Sequence, residues 1–324
     1  PRPQDFFACN APIKGLYELG VEIEENSELD LLVSYKAHAG DKRIPAVCED
    51  MKKEMGEGKY YADMLERMAQ FELTLLDWAE NHKGARKYVA FADKCWPAFP
   101  EQFGFEPCYV NSRLASRGIP VACEVDIYGA LSEYICACIS HDAVTLLDIN
   151  NSVPASLFEA EIKGKFSYTL TDTFMGFHCG NTPSCKLCAD RAVKYQLIQH
   201  RLLEPAGSEP DFTRGTLEAD LAASQITFYR LQCDSEGNLR SYIAEGEILP
   251  VHTGSFGGIG IFAIPEMGRF YRHVLVQKRY PHHGAVAFGH YGKLLFEVFK
   301  FLGVSDIAYN QPKSRTYPTE NPFA

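Results

Sequence analysis

Helix-period and strand-like segments take turns through the first half of the chain, and this alternation restricts the fold more than any other feature. Residues 58–82 place apolar side chains at helical spacing, Gly84 closes that helix, and Lys87-Tyr-Val-Ala-Phe-Ala92 reads as a buried strand. Gly118-Ile-Pro-Val-Ala-Cys123 forms a second short strand, residues 127–139 a helix, and Val144-Thr-Leu-Leu147 the next strand. Such alternation predicts βαβ units and a mostly parallel, Rossmann-like α/β sheet, in which ligands meet the carboxyl ends of the strands. Glu124 and Asp148 stand at two such ends, each directly after an apolar run.

The second half changes character. Segments 166–171, 224–231 and 239–244 alternate or are rich in β-formers, and Asp234-Ser-Glu-Gly-Asn238 between two of them suits a hairpin turn. A glycine-rich loop at 254–260 precedes Ile261-Phe-Ala-Ile264. An amphipathic helix over 292–302 and a last strand at Ile307-Ala-Tyr309 follow. A chain of 324 residues exceeds one ordinary core. The expectation is an α/β domain over 1–142, then a mainly antiparallel, β-barrel-like domain with a terminal helix over 143–324.

Composition removes several function classes. The net charge is −10 with no long Lys/Arg block, which speaks against a nucleic-acid surface. No run of about 18 apolar residues is present, so no membrane span is expected. Eleven cysteines, an odd count, sit mostly in apolar contexts such as Cys123, Cys136 and Cys138. They are expected to be buried free thiols in a reducing cytoplasm. The start, Pro1-Arg-Pro-Gln-Asp5, is neither an initiator Met nor a signal peptide, and predicts part of a longer protein.

Three groups could carry chemistry. Glu124, Asp126 and Asp148 can bind a hard cation and move protons, or can cap the helices that follow. His282-His283 after Tyr280-Pro281 offers imidazole ligands, or is a surface pair in a turn. Two carboxylates with one His suit Mn²⁺, Mg²⁺ or Co²⁺ better than a thiolate-seeking metal. The run from His178 through Cys179, Cys185 and Cys188 invites a zinc or redox role, but has no second Cys-x-x-Cys to complete a ribbon. His178 in its Gly-Asn loop is better placed to face a substrate. The 254–260 loop lacks a phosphate-binding Lys, and Cys95-Trp96-Pro97 is a core turn or a stacking platform for a sugar.

Gly118-Ile-Pro-Val-Ala-Cys-Glu124-Val-Asp-Ile-Tyr-Gly-Ala-Leu131, with Leu146-Leu-Asp148-Ile-Asn-Asn151, resembles the L-fucose isomerase family and the related L-arabinose isomerases. Cys95-Trp-Pro97, Gly215-Thr-Leu-Glu218 and Gly246-Glu-Ile-Leu249 add to the resemblance. It implies a metal-dependent aldose–ketose isomerase acting on a pentose or 6-deoxyhexose through an ene-diol. Glu124 and Asp148 would be the acid/base pair, and with His283 the ligands of a divalent metal, Mn²⁺ foremost. Trp96, Asn151 and His178 would touch the sugar. Family members carry a further N-terminal domain and form homo-oligomers, often hexamers. A non-catalytic sugar-binding or regulatory protein on the same scaffold is the alternative.

Overall fold

The computed structural model describes residues 9, 12–96, 98–198, 211–321 and 323, apart from the side chains at 150, 151, 197, 198, 211 and 212. Among the described residues six α-helices precede residue 141: α1 (Lys14–Glu18), α2 (Glu28–Ala37), α3 (Ile44–Met55), α4 (Leu65–His82), α5 (Cys108–Ser116) and α6 (Ile127–Ser140). Ser27 caps α2 by accepting from the Asp30 amide at 3.2 Å, and Pro45 sits in the first turn of α3, where an N–H has no partner to lose. The helix expected from residue 58 starts only at Leu65, because Gly56 and Gly58 take positive φ and hold the preceding residues in turns. Arg113 of α5 reaches buried Glu72 of α4 and Glu54 of α3, tying the three helices together.

Two short strands, β1 (Phe91–Ala92) and β2 (Val121–Ala122), pair in parallel, Phe91 opposite Val121. The other strands are β3 (Val144–Asn151), β4 (Thr173–His178), β5 (Ala192–Ile198), β6 (Asp211–Asp220), β7 (Ser224–Cys233), β8 (Leu239–Leu249), β9 (Gly258–Ala263), β10 (His283–Ala287) and β11 (Asp306–Tyr309). They form one sheet in the order β11-β8-β7-β10-β3-β4-β9-β6-β5. An added β8–β9 pairing closes β8, β7, β10, β3, β4 and β9 into a ring. Antiparallel pairs prevail, with β11–β8 and β6–β9 parallel. Helices α7 (Ala155–Leu157), α8 (Met267–Phe270) and α9 (Gly292–Phe301) complete the chain. Between α6, α9 and the sheet lies an apolar layer that includes Cys136, Leu146, Tyr229, Leu231, Leu295 and Phe299.

The protein is thus mixed α/β, and four expectations change. The mostly parallel sheet shrinks, among the described residues, to β1 and β2. The strand expected at 144–147 belongs instead to the large sheet, antiparallel to β10 and β4. Its partners lie far along the chain, where local pattern carries no information. Residues 166–171 form no long strand: Thr169 and Asp172 make a reciprocal capping box around a short 3₁₀ turn, and β4 starts at Thr173. Cys136 is buried, but Cys138, two positions on, turns to solvent on the same helix, and all eleven cysteines are free. No described helix is long and apolar enough to cross a membrane.

Candidate active site

The turn after β2 is built under strain. Glu124 and Val125 both adopt positive φ, 60° and 53°, which a β-branched residue such as Val125 rarely tolerates. The turn is held by the Val125 amide donating to the Asp93 carbonyl at 2.8 Å and the Asp126 amide to the Cys123 carbonyl at 3.2 Å. Asp126 then caps α6, accepting from the Gly129 amide at 2.8 Å. Neighbouring acids in the sequence therefore part company: Asp126 enters the core, and Glu124 stays partly accessible.

The sheet supplies the rest. Asp148 on β3 lies directly opposite His283 on β10, 135 residues later, and opposite Phe177 on β4. His283 Nε2 stands 3.0 Å from Asp148 Oδ1 and 3.6 Å from Glu124 Oε2. His282 Nε2 lies 3.4 Å from Glu124 Oε2 and 3.6 Å from Asp148 Oδ1. The His178 and His283 rings are 6.0 Å apart. The structure thus brings together Glu124, Asp148, His283 and His178.

Hydrogen bonds distinguish the two buried imidazoles. His283 Nδ1 lies 2.8 Å from Asp126 Oδ2, and only a donated Nδ1–H suits a carboxylate. In the neutral ring that leaves the Nε2 lone pair facing Asp148 and Glu124. His178 Nδ1 accepts from the Cys179 amide at 2.9 Å, so its neutral ring carries the proton on Nε2. His283 is arranged as a ligand and His178 as a donor. Asp126 is itself clamped by Arg230, Nη1 to Oδ2 and Nη2 to Oδ1, both at 2.7 Å, and Arg230 also donates to Gln232. Asp126, Arg230 and His283 are completely buried.

Charge follows this geometry. Burial opposes ionisation of Asp126, but Arg230 and His283 outweigh it and hold the carboxyl well below its ordinary value. Burial likewise opposes a charged His283, while Asp126 and Asp148 raise it well above the usual imidazole value, so the ring favours a second proton, on Nε2, that a metal would have to displace. Burial also works against the charged forms of Glu124 and Asp148, yet the neighbouring histidines prevail and lower both. Burial lowers His178, which keeps its ring neutral.

A metal fits these residues. Asp148 Oδ1 and His283 Nε2 are buried and stand 3.0 Å apart with no aligned hydrogen bond between them, which leaves both atoms available to a shared cation. Such orphaned atoms are uncommon unless something else occupies the space between them. Ligand atoms from Asp148, His178 and His283 lie within 4.8 Å of one another, as do those from Cys9, Glu124, His282 and His283. Oxygen and imidazole donors suit a hard or borderline divalent ion.

The remaining candidates fare differently. Trp96 is half-buried just past β1, and among the described residues no hydrogen bond, ion pair or ring contact joins it to the cluster. Asn151 keeps its backbone in β3, opposite Met175, and its side chain lies outside the described residues. Cys185 is exposed, and Cys179, Cys185 and Cys188 enter none of the metal-ligand groups among the described residues. Two participants were not anticipated. Arg230 had one faint signal, a charged residue inside the apolar strand Ile226-Thr-Phe-Tyr-Arg-Leu231. Cys9 had none: its Sγ lies 3.3 Å from His283 Nδ1 and 3.8 Å from Glu124 Oε2.

Comparison with known proteins bears on this site. Residues 176–309 match the family described as L-fucose isomerase, C-terminal domain. The sulfoquinovose isomerase of Clostridium sp. strain MSTE9 is 31% identical over 174 residues, 52% of this chain and 33% of that protein. That of Alkalicoccus urumqiensis is 28% identical over 191 residues, 56% of this chain and 36% of the relative. That of Priestia aryabhattai is 23% identical over 254 residues, 75% of this chain and 48% of the relative. The chain therefore spans about half or less of the length of these relatives.

Proposed function

From a chain whose residues 176–309 carry the L-fucose isomerase C-terminal domain, we infer an aldose–ketose sugar isomerase that works with a divalent metal, Mn²⁺ foremost. The observation that carries this reading is the approach of Asp148 and Glu124 to His283 Nε2, at 3.0 and 3.6 Å, with Asp148 Oδ1 and His283 Nε2 buried and unpartnered. The relatives' names support sugar isomerisation as the reaction class.

Glu124, Asp148 and His283 would hold the metal. When bound, such an ion polarises the sugar carbonyl and offsets the negative charge that grows on its oxygen. The residues supply the proton traffic. Interconverting an aldose and a ketose requires a proton to leave one carbon, an ene-diol to form, and a proton to reach the neighbouring carbon. Glu124 and Asp148, with side chains 23% and 19% exposed, are the ionised carboxylates able to accept and return it. Asp126 keeps the Nε2 lone pair of His283 free by accepting its Nδ1–H. His178 presents Nε2–H toward the same space, as a donor to a sugar oxygen.

We propose a pentose or 6-deoxyhexose as substrate. Sulfoquinovose is the second reading, favoured by the names of the relatives. Assembly as a homo-oligomer, together with a further N-terminal portion, is also part of the proposal, and the free thiols support a cytoplasmic setting. The test is turnover on a panel of pentoses, 6-deoxyhexoses and sulfoquinovose by the full-length protein, stripped of metal and then resupplied with Mn²⁺. Turnover restored by Mn²⁺ is expected. Sugar binding that is indifferent to chelator, without turnover, would favour the non-catalytic sugar-binding alternative.

A further inference from the structure

Two side chains at the cluster have no part in the reaction above, Cys9 and His282. The chain beside Cys9 is anchored at Pro12, whose carbonyl accepts from the Tyr128 hydroxyl of α6 at 2.8 Å and the Cys233 thiol of β7 at 3.0 Å. Cys9 itself is 4% exposed and lies against His283 and Glu124. Its neighbours satisfy it poorly. The Nδ1–H of His283 is already given to Asp126 at 2.8 Å, and Glu124 Oε2, at 3.8 Å, is a distant acceptor for a weakly donating thiol.

Among the described residues, Cys9 is the one cysteine that enters a metal-ligand group, and it does so with Glu124, His282 and His283. Zinc bonds of about 2.0–2.3 Å to sulfur, nitrogen and oxygen set tetrahedral ligand atoms about 3.3–3.8 Å apart. Glu124 Oε2 already stands 3.4 Å from His282 Nε2, 3.6 Å from His283 Nε2 and 3.8 Å from Cys9 Sγ. His283 Nε2 is buried with no hydrogen-bond partner. An ion has a way in past Glu124 and His282, whose side chains are 23% and 35% exposed.

This donor set differs in kind from Asp148, Glu124 and His283. One thiolate with two imidazoles favours a softer ion than Mn²⁺, and for given donors Zn²⁺ generally binds more tightly than Mn²⁺. Four protein ligands also complete a tetrahedral ion, as in structural zinc sites, whereas a reacting sugar needs an open position.

We propose that Cys9, Glu124, His282 and His283 form a second site, for a thiophilic divalent ion such as Zn²⁺, that excludes the reaction's metal by drawing on Glu124 and His283. Binding replaces the Cys9 S–H by a bond from sulfur to the ion and releases the proton to solvent. The site stands on its donor atoms, and only its consequence, an inactive zinc form, rests on the isomerase reading.

The test strips the full-length protein of metal and titrates it with Co²⁺, which reports a thiolate ligand through a charge-transfer band in the near ultraviolet. Wild type should show the band, and Cys9→Ser should lose it. In Cys9→Ser and His282→Gln, Zn²⁺ affinity should fall by about tenfold or more with Mn²⁺ affinity unchanged. The two positions are separate, so misfolding of one variant leaves the other informative. A large excess of Mn²⁺ should displace Co²⁺ and the band together. A wild type without the band, or a band that survives Cys9→Ser, overturns the proposal. So does a protein that holds Co²⁺ and Mn²⁺ together with the band intact, or one whose turnover is undiminished with Zn²⁺ bound. A Mn²⁺-loaded wild type that turns over no sugar refutes the isomerase reading, and the Co²⁺ spectrum then decides the site alone.

Discussion

Replacing Asp126 by Asn tests whether the buried Arg230–Asp126–His283 chain sets the chemistry of His283. The substitution keeps shape and removes one charge. The new side-chain amide can still accept from Gly129 and one Arg230 nitrogen through its oxygen. Its nitrogen, however, then faces two other donors, Arg230 Nη1 at 2.7 Å and His283 Nδ1 at 2.8 Å in the parent protein. Two consequences follow. Arg230, with no exposed surface, loses its counter-ion, and breaking a buried pair in this way costs about 3–5 kcal/mol. With an unfolding entropy of about 2.1 cal/mol/K per residue, a loss of about 4 kcal/mol over 324 residues is roughly 6 °C in the melting midpoint. The second consequence is a change of tautomer: His283 relieves the donor–donor contact by moving its proton to Nε2, which removes the lone pair aimed at Asp148. Loss of such a supporting partner weakens metal binding by about 10–100-fold. Calorimetric melting and Mn²⁺ titration read the two effects separately. Adding Arg230→Met to Asp126→Asn removes the stranded charge, so much of the lost stability should return while Mn²⁺ binding stays weak. An Asp126→Asn protein that melts within about 1 °C of wild type and binds Mn²⁺ equally well would refute the reasoning.

Glu124→Gln and Asp148→Asn should each lower turnover by a factor of about 10³ or more with a cooperative melt retained, and normal isomerisation by either folded variant would remove that residue from the acid/base pair. His178→Phe should lower kcat by about 10²-fold with Mn²⁺ stoichiometry unchanged; metal lost in step with activity would make His178 a ligand instead of a donor. Burial lifts Glu106 from 4.5 to about 7, with Asp93 adding to the rise and Cys95 opposing it. The neutral carboxyl is thus the one suited to the fold, and stability should fall as pH rises from about 4.5 through about 7. The shift corresponds to about 3 kcal/mol, and Glu106→Gln should flatten that part of the pH–stability curve; an unchanged slope would place Glu106 in contact with solvent. Gly215→Ala should destabilise by about 3 kcal/mol or more, because φ is +121° there and a Cβ would come 2.2 Å from the Glu106 carbonyl oxygen. A melt like wild type would show that this irregular point of β6 can move.

Sequence by itself determined the elements whose cause is local. The period of 127–139 placed α6, the turn residues at 234–238 placed the β7–β8 hairpin, and the amphipathic pattern near 292–302 placed α9. Glu124, Asp148 and the His282-His283 pair could be nominated as well, because an acid ending an apolar run, or a His pair after a proline, is visible in a few residues, and the family resemblance chose His283 from the pair. What local pattern could not show is which strands become neighbours. The pairing of β3 with β10 sets Asp148 opposite His283 across 135 residues, and it also took β3 out of the parallel sheet that the alternation predicted. Cys9 and Arg230 enter the cluster for the same reason, since neither is near its partners along the chain. The protonated nitrogen of each histidine likewise belongs to the tertiary structure. Spacing can nominate an imidazole, but only the carboxylate at His283 Nδ1 and the amide at His178 Nδ1 decide which ring offers a lone pair and which a proton.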